Sequence, residues 1–192
     1  MSEPAQQSCV IVQMSGVPGS GKSTVAREVG AAIGAIVIDH DDTKTAIMSS
    51  GVAPDLAGKA SYEVIKSVVS QFVKSGHSVV IDSPCLYPEL LTFGQQLAAE
   101  IGARYRFIEC RIEDWVELNR RIEERERKPS QVVYGPLHSE MIEHRGTMRT
   151  AREQFSLWDG QMQRPEDRLV LDTGAQKSEC ASAAIAYVCQ GG

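Results

Sequence analysis

Hydrophobic residues along this chain fall into short unbroken runs that alternate with stretches of helical periodicity. The first run, residues 9–14 (CVIVQM), leads into a glycine-rich turn, and helical spacing then extends over residues 22–33. Unbroken apolar runs of this length predict strands buried on both faces, so the change of period marks strand, loop and helix. Residues 35–39 (AIVID) and 77–82 (HSVVID) repeat the strand pattern, and each ends in an aspartate. Between them Tyr62, Ile65, Val68, Val69, Phe72 and Val73 recur at helical spacing over residues 58–74, and Gly76 provides the stop. A short helix is expected over residues 43–48. Residues 88–101 predict a helix, 105–110 a strand, 113–125 a helix crowded with charge, 169–172 (LVLD) a strand and 178–189 a closing helix.

Five apolar strands alternating with helices predict an α/β fold, a three-layer arrangement with a five-stranded parallel sheet between helices. Residues 128–165 break the rhythm, with Pro129, Gly135 and Pro136 ahead of a polar helical pattern over 139–161. They read as an insertion rather than a second domain. With the end of the charged helix they make a helical lid at about 120–165 within a single domain spanning 1–192.

Composition narrows the function classes. Only 6% of residues are aromatic, so the core is aliphatic. The net charge of −5 argues against a surface that grips long nucleic acid by neutralising phosphates, although a local basic groove stays compatible with it. No run approaches the roughly 18 apolar residues of a membrane span, and the N-terminal MSEPAQQS lacks the basic and apolar regions of a signal peptide. A cytoplasmic protein without a membrane partner is expected. The five cysteines contain no C-x-x-C pair, so they suggest neither a zinc site nor a disulfide framework and read mostly as small buried hydrophobes.

Gly16-Val17-Pro18-Gly19-Ser20-Gly21-Lys22-Ser23 matches G-x-x-x-x-G-K-[ST] completely, and it lies between a strand and a helix, as that motif requires. Its glycines let backbone N–H groups converge on phosphate oxygens, and the helix N-terminus adds its positive end. Lys22 supplies charge to the β- and γ-phosphates, Ser23 is placed to ligate Mg²⁺, and Thr24 adds a hydroxyl toward the α-phosphate. No N-K-x-D base-reading motif of a GTPase occurs, and motor ATPases need a longer chain. Kinases of small acceptors fit the length.

Asp39, Asp41 and Asp42 follow the second strand in D-H-D-D-T-K, at the sheet edge beside the phosphate loop. A carboxylate there can take a proton from an attacking hydroxyl, although Asp41 or Asp42 can equally cap the helix that follows. Asp82 ends the third strand, where it can either orient Mg²⁺ or cap the next element. Arg121 and Arg125 lie four residues apart on the charged helix, whose other charges read as a solvated face stitched by pairs such as Glu117 with Arg121.

These segments, GVPGSGKSTVARE, DHDDTKTAIM, VVIDSP, RFIEC, VELNRRIEERE and LVLDTG, resemble P-loop kinases related to the kinase half of polynucleotide kinase. That group is itself similar to zeta-toxin-like and chloramphenicol phosphotransferase-like enzymes. The resemblance implies that Asp41, first of the D-D pair, is the general base and that Lys44, three positions on, contacts the acceptor, where the family more often has arginine. It implies a metal or acceptor role for Asp82, although Ser83, Pro84 and Cys85 replace the family's usual continuation with Thr and Asn. It implies that Arg121 and Arg125 form a lid over ATP, with Arg127 as the substitute in a shifted register, and that Thr173 follows the last strand near adenine. The four histidines read as structural or surface residues, and Trp115 and Trp158 as core or helix-packing residues.

The expectation is therefore an ATP- and Mg²⁺-dependent kinase acting on a hydroxyl of a small molecule or of a nucleoside or polynucleotide 5′-end, with the acidic charge favouring the small acceptor. The alternative of another class is a nucleotide-binding regulatory ATPase module without acceptor phosphorylation.

Overall fold

The apolar runs pair side by side as parallel strands, and the helices between them return the chain across the sheet. In the computed structural model, residues 9–126, 128–131, 141–144, 147–174 and 176–191 are described. In chain order, β1 (Val10–Ser15) leads to α1 (Lys22–Ile33), β2 (Ile36–Asp39), α2 (His40–Ser49), α3 (Pro54–Lys74), β3 (Val79–Asp82) and α4 (Pro88–Ile101). Next come β4 (Arg104–Arg111), α5 (Trp115–Glu124), β5 (Met141–His144), β6 (Thr147–Thr150), α6 (Ala151–Gln161), β7 (Leu169–Asp172) and α7 (Lys177–Cys189). The main sheet has the strand order β2-β3-β1-β4-β7, all parallel.

The period of two along β1 divides the core. Val10, Val12 and Met14 pack toward α1 and α7 with Val25, Val29 and Ala184, while Ile11 packs on the other face with Ile65, Val69 and Leu97 of α3 and α4. A third cluster, Leu118, Ile122 and Phe155, joins α5 to α6 and reaches Val17 of the glycine-rich loop. Glu109 of β4 is 1% exposed and takes hydrogen bonds from Arg111 (2.9 Å), Arg164 (2.7 Å) and Arg168 (2.9 Å), which pins the segment after α6 to the sheet.

Four boundaries differ from the expectation. α2 starts at His40, because Asp39 is its N-cap and accepts from the N–H groups of Asp41 (2.7 Å) and Asp42 (3.2 Å); neither Asp41 nor Asp42 is the cap. α3 starts at Pro54, whose missing N–H costs nothing in a first turn. The helix read over 139–161 is a helix only from Ala151, since β5 and β6 pair antiparallel before it, and residues 139 and 140 lie outside those described. The capping box of Thr150 and Glu153 sets that start. α5 ends at Glu124, so Arg125 sits on extended backbone (φ −72°, ψ 144°) just past the helix.

Candidate active site

The loop after β1 closes against the sheet because its glycines permit it. Gly16 has φ 139°, and a Cβ there would fall 2.3 Å from the carbonyl oxygen of Cys110. Gly21 caps α1 in the left-handed region (φ 84°), and the first turn of α1 carries no acidic residue. The helix N-terminus is thus turned to the hollow of the loop without a carboxylate of its own. Lys22 reaches back across this hollow, with Nζ donating to the carbonyl of Val17 at 3.0 Å.

Parallel register sets two carboxylates beside the loop, since Asp39 of β2 is paired with Asp82 of β3. Asp82 is 5% exposed. Burial pushes its carboxyl above the usual value, opposed by the charge of Lys22 and a hydrogen bond from Ser23, while Asp39 and Asp41 push the same way as burial. A serine hydroxyl and a carboxylate side by side at a phosphate loop are a hard oxygen set, and they suit Mg²⁺. Among the described residues, no group of three or more His, Cys, Asp or Glu side chains is arranged to hold a metal by itself.

Asp41 stands two residues beyond the cap, on the first turn of α2. Burial works to raise its pKa, but the close His40 imidazole, a hydrogen bond from Gln131 and the charge of Lys22 outweigh it and hold the carboxyl far below its ordinary value. His40 was read as structural, yet it is buried with Nδ1 3.5 Å from Asp41 Oδ1 and Nε2 3.0 Å from Ser61 Oγ. The Ser61 hydroxyl also lies 2.8 Å from the carbonyl of Gly58, which fixes it to its own helix beside the imidazole.

Residues 128–131 complete the surroundings of Asp41, and nothing in their sequence announced it. Lys128 was grouped with solvated charges, but its Nζ bridges Asp39 (2.6 Å) and Asp42 (2.8 Å). The side chain of Gln131 donates to Asp41 Oδ2 at 2.8 Å, and Ser130 Oγ donates to the carbonyl of Asp41 at 2.9 Å. Lys44 lines the same cleft with Nζ 3.3 Å from the carbonyl of Ser130.

On the other side, Arg121 donates to Glu117 Oε1 (2.6 Å) and to the carbonyl of Thr173 (2.7 Å), and its Nη1 lies 3.8 Å from where a Cβ on Gly21 would be. Thr173 is buried, and its hydroxyl lies 2.8 Å from the carbonyls of both Ser20 and Arg111, so it braces the loop from below. Thr24 is exposed on α1, and Arg125 lines the cleft despite leaving the helix. Arg120 is held on the surface by Glu117 and Glu124. Arg127 lies outside the described residues. Trp115 and Trp158 pack edge-on or tilted against Phe155 (5.9 and 5.5 Å), and Trp158 also lines the cleft. The structure thus brings Pro18, Gly19, Gly21, Lys22, Ser23, Thr24, Asp41, Lys44, Asp82, Arg121, Arg125 and Thr173 around one cleft of about 1400 Å³, whereas Gly16, Val17 and Ser20 are not among its lining residues. Among the described residues no helix is long and apolar enough to cross a membrane.

A sheet of this order with a phosphate loop after its central strand defines a P-loop NTPase fold. A family model described as an AAA domain matches residues 11–141, and the chain belongs to that family. Solved structures of similar fold include an APS kinase of Mycobacterium tuberculosis in complex with AMPPNP and APS (17% identity, TM-score 0.61, 94% of this chain and 97% of that one). A sugar kinase from Janibacter sp. HTCC2649 (19%, TM-score 0.60, 95% and 96%) and a gluconokinase from Sinorhizobium meliloti 1021 (17%, TM-score 0.58, 95% and 92%) share it. Among curated proteins, the uncharacterized protein Rv2004c of Mycobacterium tuberculosis is 32% identical over 97 residues, covering 44% of this chain. The chain spans 20% of the length of that relative, and the same holds for the uncharacterized protein Mb2027c of Mycobacterium bovis.

Proposed function

We propose that this chain is an ATP-dependent kinase that transfers the γ-phosphoryl group to a hydroxyl of a small molecule. The observation that carries the reading is the convergence of Lys22, Ser23, Asp41 and Asp82 on one cleft at the carboxyl ends of β1, β2 and β3. The solved kinases of similar fold act on small molecules, which supports the small acceptor. The likeness of DHDDTK and VVIDSP to polynucleotide-kinase-related enzymes supports Asp41 as the base and keeps a nucleoside 5′-hydroxyl among the candidates.

In this reading the loop and the N-terminus of α1 hold the triphosphate, and Lys22 leaves the Val17 carbonyl to pair with the β- and γ-oxygens. Ser23 and Asp82 would hold Mg²⁺, which supplies positive charge against the phosphate oxygens when bound. The acceptor oxygen bonds to Pγ, the bond from Pγ to the ADP oxygen breaks, and the hydroxyl proton passes to Asp41. A base held so far toward its ionised form takes the proton late, so Asp41 mainly orients the hydroxyl. Arg121 and Arg125, with residues of the 120–165 segment acting as a lid, bring charge to the moving group on closure. Lys44 lies where it can meet the acceptor.

A coupled assay of ADP release with and without candidate alcohols tests this. ADP formation that rises with one class of alcohol and needs Mg²⁺ is expected; a rate indifferent to every alcohol would favour a regulatory ATPase instead.

A further inference from the structure

Asp41 is more tightly held than a proton acceptor needs to be for its own sake. Its Oδ1 lies 3.5 Å from His40 Nδ1 and its Oδ2 receives the amide of Gln131 at 2.8 Å, so both carboxylate oxygens have a protein neighbour and the Gln131 hydrogen bond is the one that orients the group. The Gln131 contact is reinforced by the rest of residues 128–131. Thr45 Oγ1 donates to Ser130 Oγ at 2.8 Å and Ser130 Oγ donates to the Asp41 carbonyl, so the turn is fastened to α2 at three successive points. Lys128 then places one ammonium between Asp39 and Asp42, the two acids that flank the base.

The electrostatic need is plain. Asp39, Asp41, Asp42 and Asp82 gather beside a loop built to bind an anion, and Lys22, Lys128 and the imidazole of His40 face them. Lys22 must turn to phosphate when ATP binds. Lys128 then still offsets part of the charge of Asp39 and Asp42, which would otherwise repel both the triphosphate and Asp41 more strongly.

We infer that residues 128–131 are a positioning element for the reaction: Gln131 sets the plane of the Asp41 carboxylate, and Lys128 offsets part of the charge of the acids on either side of it. This rests on the kinase reading of the cleft. Each carboxylate oxygen can accept more than one hydrogen bond, so the Gln131 contact orients the group while leaving room for a substrate hydroxyl.

Water serves as the acceptor in the test, because basal ATP hydrolysis needs no identified alcohol. Gln131→Ala should lower kcat about 10-fold, inside the roughly 10²-fold that a 1 Å misplacement costs, with the KM for ATP nearly unchanged. Lys128→Ala should act in the same direction and Lys128→Arg should restore most of the rate. The decisive arm is the pair of backgrounds: in Asp41→Asn, the further change Gln131→Ala should alter kcat by less than about 2-fold, because its effect passes through the carboxylate. Equal losses in both backgrounds, a change confined to KM, or a faster Gln131→Ala enzyme would overturn the inference, the last by making the turn a cover over the base. Wild-type turnover in Asp41→Asn would instead remove the kinase reading of Asp41. A slow Asp41→Asn enzyme beside a normal Gln131→Ala enzyme removes only the positioning role, with thermal melts confirming that each variant is folded.

Discussion

Asp39 and Asp82 are paired in register at the ends of β2 and β3, yet the chain uses them differently. Asp39 turns back to cap α2 and takes Lys128, whereas Asp82 stays buried beside Lys22 and Ser23. Asp82→Asn should therefore raise the Mg²⁺ concentration for half-maximal rate by about 10-fold or more, as loss of a group that orients a metal typically does. Asp39→Ala should cost about 1 kcal/mol of stability through the lost cap and leave the metal requirement in place. Metal titrations and melts of the two variants separate the roles.

Lys22 donates within the loop, to the carbonyl of Val17, so its removal leaves the packing of the sheet and helices in place. Lys22→Ala is expected to melt near wild type but to weaken ATP binding by roughly 10- to 100-fold, the loss of a charge-assisted contact. Calorimetric titration with a non-hydrolysable ATP analogue checks it; unchanged affinity would remove the loop from nucleotide binding.

The two lid arginines should behave differently. Arg121 is tied to Glu117 and to Thr173 next to the phosphate loop, so Arg121→Ala is expected to affect ATP binding as well as rate. Arg125 stands beyond the helix end and lines the cleft, and Arg125→Ala should lower kcat by about 10³-fold with a much smaller change in ATP affinity. Near-normal turnover with a slightly lowered Tm would make Arg125 a surface residue.

Acid should loosen the fold at Glu109. Burial works to raise its pKa, but hydrogen bonds from Arg164, Arg111 and Arg168 outweigh it and hold the carboxyl below 4.5, its ordinary value. A depressed carboxylate contributes its stability in full above the unfolded value and loses it as pH falls through the folded one. Glu109→Gln should cost about 3 kcal/mol at neutral pH, because it strands three guanidinium groups, and its deficit in Tm should close only below pH 4.5.

The strands and the phosphate loop were legible because their signals are local: runs such as VVID have one compact solution, and the loop motif carries its own geometry. The hairpin before α6 was not, since MIEH and TMRT are too short to outweigh the helical pattern that follows. The Thr150-x-x-Glu153 box that marks the true start of α6 was readable and was passed over. Around Asp41 the limit is different in kind. Gln131 and Asp41 are 90 residues apart, and a neutral glutamine in a turn has no pattern that ties it to an aspartate on a distant helix. His40 was obscured for the opposite reason, because an isolated histidine among acids reads as surface until α3 folds Ser61 over it.

The most direct measurement follows the γ-phosphate itself. ATP labelled at that position is incubated with the enzyme, Mg²⁺ and a panel containing sugars, nucleosides, a 5′-hydroxyl oligonucleotide and simple alcohols, and the label is traced to product. Stable label on an alcohol oxygen, reduced roughly 10²- to 10⁴-fold in Asp41→Asn, is the expected result. Label appearing only as inorganic phosphate, at one rate whatever alcohol is present and unaltered in Asp41→Asn, would contradict the account.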